Sequence, residues 1–133
     1  MPQEALFRRG SLFITTGHNE HLHIIMNDPV DYPRKGGPTV LLVNFCSFEA
    51  NGLCDSTCLL NIGDHPFINH ATFIAYEHAK LQLSQPLVAA IDAKRIRPHD
   101  PVSDSVYHRI LDGLKRSSRV AGGVSRFVRF AGL

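Results

Sequence analysis

The sequence predicts a mainly β domain of the α+β kind, a compact barrel or curled sheet that carries a packed C-terminal helix. Three observations predict it. Residues 8–92 break into short β-branched and apolar runs separated by Gly, Pro and Asn-Asp turn signals. Residues 103–116 show the clearest 3.6-residue apolar period, behind a capping serine. The chain has 133 residues, 44% hydrophobic and 20% charged, which suits one core in one domain spanning 1–133.

The elements follow in chain order. Residues 11–15, between Gly10 and Gly17, form the first strand, and residues 21–26 the second, which ends at Asn27-Asp28-Pro29. Residues 29–38 hold Pro29, Pro33, Gly36, Gly37 and Pro38 and read as a surface loop. Residues 39–45 are nearly all apolar or β-branched, as a central strand buried on both faces requires. A loop over 49–55 leads to a strand near 57–62. Gly63-Asp64 then turns the chain, and Phe67 and Ile68 resume the apolar pattern. Residues 71–76 read as a further strand that can turn helical through 77–80, and after Pro86 residues 87–91 read as the last strand. Val40, Leu42, Phe45, Ile74, Val88 and Ile91 are the expected core.

For the helix, Ser103 is the N-cap and Asp104 sits where the dipole favours an anion. Val102 and Tyr107 hold the staple positions. Val106, Tyr107, Ile110, Leu111 and Leu114 form the packing stripe, and Lys115 and Arg116 close the last turn. The tail, 117–133, is basic and apolar, with Arg126-Phe127-Val128-Arg129-Phe130. Its apolar residues need cover from the chain's own sheet or from another chain, or else the tail is a solvated, disordered one.

The net charge of +2 hides an asymmetry. Residues 1–92 carry nine acids and five bases, whereas residues 93–133 carry three acids and nine bases. A basic final third on a mildly acidic body suits a polyanion or an acidic protein partner. No apolar run reaches the ~20 residues of a membrane span, and residues 1–10 lack an export core, so a cytoplasmic protein with no membrane role is expected. Cys46, Cys54 and Cys58 read as small buried hydrophobes or inert thiols. A zinc site from Cys54 and Cys58 with His65, or with His21 and His23, lacks a second matching pair, so no metal or other cofactor is expected. Walker, dinucleotide, serine-elbow and zincin motifs are absent from the sequence.

Residues 9–13 (Arg-Gly-Ser-Leu-Phe), 63–68 (Gly-Asp-His-Pro-Phe-Ile), 71–76, and 88–96 followed by Val102-Ser103-Asp104 stand in an order that resembles the PemK/MazF-like toxins of bacterial type II toxin–antitoxin systems. The resemblance covers most of residues 8–116. It implies a small SH3-like β-barrel over 8–92, a homodimer, metal-independent cleavage of single-stranded RNA, and neutralisation by a cognate antitoxin. Where such toxins place an acidic residue after Arg-Gly, this chain has Ser11. Where they deliver an arginine to the RNA, residues 17–23 offer histidines and one glutamate. Either histidine has taken the cationic role, or the cleavage chemistry is absent.

Cleaving RNA through its own 2′-hydroxyl needs a base, an acid and a group that stabilises the charged phosphorane. Imidazole serves the first two near neutral pH, and Arg serves the phosphate. His18, His21, His23, His65 and His70 lie in or beside expected turns, and His21 and His23 share a strand face. His21, His23, His65 and Ser47 are therefore the catalytic candidates, with an Asp64–His65 orienting pair possible only in a turn. Arg95, Arg97 and Arg109 are the RNA-binding candidates. The competing expectation is a non-catalytic β-barrel module that binds protein or nucleic acid through the basic final third.

Overall fold

The computed structural model describes residues 6–16 and 18–133; residues 1–5 and Gly17, the expected end of the first strand, lie outside the described residues. Among the described residues the architecture is α+β and mainly β, an antiparallel eight-stranded sheet with three helices. β1 (Ser11–Thr16) and β2 (Asn19–Ile25) form a hairpin in the register Ser11↔Ile24 to Thr16↔Asn19. β3 (Val30–Tyr32) pairs with the start of β4 (Gly37–Ser47), the longest strand. β5 (Leu59–Leu60) and β6 (Thr72–Ile74) follow, then a 3₁₀ turn at Tyr76–His78 and β7 (Lys80–Leu83). α1 (Ser84–Asp92), β8 (Arg97–His99), α2 (Asp104–Arg116) and α3 (Gly122–Phe130) complete the chain.

β4 organises the sheet. Its middle pairs with β2 and β7, its first residues with β3, and its last three with β6, so the strand passes from one group of partners to another. The hydrogen-bonded path β5-β6-β4-β2-β1-β8 is open, because β5 and β8 do not pair. Alternation along β4 supplies both faces. Leu41, Val43 and Phe45 join the main core under α2 and α3, while Val40 and Leu42 join a smaller one with Leu12, Ile25 and Leu87 of α1. The central strand is thus buried on both faces as its sequence requires, and Ile74 belongs to the main core.

α2 begins where the sequence places it. The Ser103 hydroxyl accepts the Val106 amide at 3.1 Å, and Val106, Tyr107, Ile110 and Leu114 are buried.

Three expectations are corrected. Residues 87–91 are helical, in α1. An apolar run of five fits either periodicity, but Leu87, Val88 and Ile91 recur at helical spacing against one core, and Pro86 sits in the first turn, where its missing amide costs nothing. Val88 and Ile91 are consequently half-buried flank. The last strand is instead β8, which pairs with β1. Residues 29–38 are a hairpin arm rather than a loop, with Gly36 at φ +82° in its turn. Of the alternatives for the tail, the chain covers it itself: Val124, Phe127 and Val128 of α3 are buried in the main core, and Phe127 meets Tyr32 edge-on.

Candidate functional site

A cleft of about 510 Å³ opens where the ends of β2 and β4 meet the loop before β6. Its lining includes Glu20, His21, Ser47, Phe67, Asn69 and His70. Strand pairing builds it. Ser47 is the last residue of β4 and lies opposite Thr72 of β6, and the Phe48 amide donates to Ala71 O at 3.0 Å. That register carries His70, two residues before Thr72, onto the exposed Ser47 side chain.

The result is a continuous chain of polar side chains. Asn69 Oδ1 lies 2.5 Å from His70 Nδ1, and His70 Nε2 lies 2.7 Å from Ser47 Oγ. A carbonyl oxygen only accepts, so His70 Nδ1 carries the proton and Nε2 offers its lone pair to the serine hydroxyl. The order hydroxyl, imidazole, orienting group is the arrangement that moves a proton on and off an oxygen. His21 is fixed similarly. Its Nδ1 donates to Phe45 O at 3.3 Å, which leaves Nε2 as the proton acceptor of the neutral ring.

One wall is aromatic. Phe67 is 40% exposed and stands edge-on to Phe13 at 5.1 Å, and the Arg97 guanidinium covers the Phe13 ring at 4.9 Å. Arg97 also reaches Glu20 at 2.8 Å, which places a cation at the rim of the His21 side of the cleft.

The other sequence candidates have different surroundings. His23 is buried and donates from Nδ1 to His21 O at 3.0 Å. Burial lowers its pKa to about 4 against the opposing pull of that hydrogen bond, so the ring is neutral at pH 7. His65 is also buried. It accepts the Phe67 amide at Nδ1 and donates from Nε2 to Asp100 O at 2.7 Å, so both ring nitrogens are occupied by backbone. Asp64 does not orient it: that carboxylate accepts from the Asn61 amide and from Arg109. Arg109 lines a separate depression with Arg116 and Asp112. Arg95 is exposed in the turn after α1, and His18 is exposed beside the β1–β2 turn.

Burial raises the Cys46 and Cys58 thiols above their ordinary pKa. Among the described residues, no three His, Cys, Asp or Glu side chains are grouped to hold a metal ion. No described helix is long and apolar enough to cross a membrane.

His70 is named among the sequence histidines but not as a site residue, and Asn69 is missed altogether. Nothing in the spacing from Ser47 to Asn69-His70 signals their meeting, because the β4–β6 register creates it. Compared with known proteins, the chain matches no family model, no curated protein and no solved structure.

Proposed function

We propose that the chain is a PemK/MazF-like toxin, a metal-independent endoribonuclease that cleaves single-stranded RNA in the His21–Ser47–His70 cleft. The observation that carries the reading is the pairing of two proton-transfer groups, His21 and the His70–Ser47 couple, in one cleft with an aromatic wall. His21 Nε2 takes the proton of the 2′-hydroxyl as its oxygen bonds to phosphorus. In the acid form His70 carries a second proton, on Nε2, and delivers it to the departing 5′-oxygen, so the products are a 2′,3′-cyclic phosphate and a 5′-hydroxyl. Ser47 hydrogen-bonds the phosphate, Arg97 offsets its charge, and Phe67 stacks a flanking base. On this reading the open antiparallel sheet corresponds to the SH3-like barrel of such toxins. The protein then works as a cytoplasmic homodimer under a cognate antitoxin.

The experiment is cleavage of a single-stranded RNA in EDTA. His70→Ala and His21→Ala should each lower the rate by about 10²–10⁴ with the circular dichroism spectrum unchanged. Cleavage by wild type that survives both substitutions removes the assignment. The 2.7 Å Ser47–His70 contact also favours a second reading, ester hydrolysis with Ser47 as nucleophile. Labelling of Ser47 by a fluorophosphonate, with RNA left intact, would select that one.

A further inference from the structure

We propose that α3 and the tip of the β3–β4 hairpin form a docking surface for single-stranded nucleic acid, with Phe130 as the stacking platform and exposed cations of the neighbouring elements for the phosphates. Phe130 is 51% exposed yet held in place, with its ring 4.8 Å from Tyr32. Tyr32 in turn meets the fully buried Phe127 edge-on at 4.9 Å, so the platform rests on the main core.

The cations come from three elements, the β3–β4 hairpin, α3 and α2. Tyr32 opens the hairpin turn, where its carbonyl accepts from the Lys35 and Gly36 amides, and the exposed Arg34 and Lys35 belong to that turn. Arg126 lies one helical turn before Phe130 and so on the same side of α3, Arg129 precedes it in sequence, and all three are exposed. Lys115 of α2 shares with Arg129 a groove of about 260 Å³ between the helices. Among the described residues none of these five is salt-bridged, whereas Arg97, Arg109, Arg116 and Arg119 each hold a carboxylate. Asp31 is the acid nearest to Tyr32 in sequence, and strand alternation sends it to the opposite face from Tyr32.

A single strand uses the charges and the ring together, because its backbone follows the cations while a base covers the aromatic face. The surface shares no residue with the cleft, so the proposal stands or falls apart from the cleavage reading.

The test is fluorescence anisotropy with a single-stranded DNA of about 12 nucleotides, within the usual site size, which lacks the 2′-hydroxyl that cleavage needs. Salt-dependent binding is expected. The double substitution Arg126→Gln, Arg129→Gln should reduce the slope of log K against log salt by roughly 1.4, about 0.7 per charge. Phe130→Ala should weaken binding about 5- to 150-fold. Phe130→Leu keeps an apolar cover over Tyr32 and should weaken binding as well, with an unchanged circular dichroism spectrum. Absence of binding at low salt, or full affinity in the arginine or Phe130 variants, overturns the proposal. So does equal affinity for a polyglutamate peptide of the same charge.

Discussion

His23 and His70 show one residue type turned to opposite uses by its surroundings. His70 is exposed and meets a serine hydroxyl. His23 is buried opposite Asn44, and burial depresses its pKa to about 4. A histidine depressed in the folded state binds its proton later than in the unfolded chain, whose pKa is about 6.5. Stability is therefore full above about pH 6.5 and falls as the pH drops toward 4, by on the order of 3 kcal/mol at 1.36 kcal/mol per unit. His65, lowered mainly by burial too, adds in part of the same window. For Asp55, burial works to raise the pKa, but hydrogen bonds from Ser117 and Thr57 together with Arg119 hold it below the ordinary carboxylate value, so its loss comes at lower pH. Urea unfolding of His23→Gln should show a flatter pH dependence between pH 7 and 4 than wild type. An identical slope would mean that His23 is not held neutral. The sequence reveals which residues can titrate; the accessibility that separates the exposed His70 from the buried His23 depends on β4, which pairs with the strand of one and with the strand that follows the other and is remote from both in sequence.

Elements were legible in proportion to how much local chemistry marks them. Ser103, Asp104 and the Val106–Ile110–Leu114 stripe identify α2 without ambiguity, because cap, dipole and period all agree. α1 carries no side-chain cap bond and no charged first turn, and its short apolar run was indistinguishable from a strand. The close approach of α2 to the 3₁₀ turn was equally hidden. Gly113 lies inside the helix, where alanine is favoured by about 1 kcal/mol. A Cβ there would stand 2.2 Å from Tyr76 Oη and 3.2 Å from Cys58 Cβ. The Tyr76 ring cannot retreat, since it is fully buried and its hydroxyl donates to Ile110 O at 2.8 Å. Gly113→Ala should therefore destabilise the protein by about 1–3 kcal/mol, as overpacking does, against its helix propensity. In a double-mutant cycle, Tyr76→Phe should remove part of that penalty. A Gly113→Ala protein more stable than wild type would show that α2 does not sit this close to the turn.

At the scale of the whole molecule, the sheet is sealed on one face by α1 and on the other by α2 and α3, and the charge asymmetry follows this division. The basic final third is also structural cover. The sequence shows that the tail's apolar residues need a partner; it does not show that the partner is Tyr32, which lies in a stretch too rich in Pro and Gly to read as a strand. The packing of α3 decides what its loss does. Val124, Phe127 and Val128 contribute to the same core as Leu41, Val43, Ile110 and Leu114, so removing residues 120–133 opens that core to water. The truncated protein should melt well below wild type or fail to fold. Phe127→Ala alone should cost about 3–5 kcal/mol, the usual loss for a fully buried phenylalanine. A tail that served only as an interface between copies would behave differently: truncation would leave the monomer's unfolding midpoint in place and change only the mass in solution. Chemical denaturation at two protein concentrations, with light scattering on the same samples, separates the outcomes. An unchanged midpoint in the truncated chain would show that α3 is not part of the core.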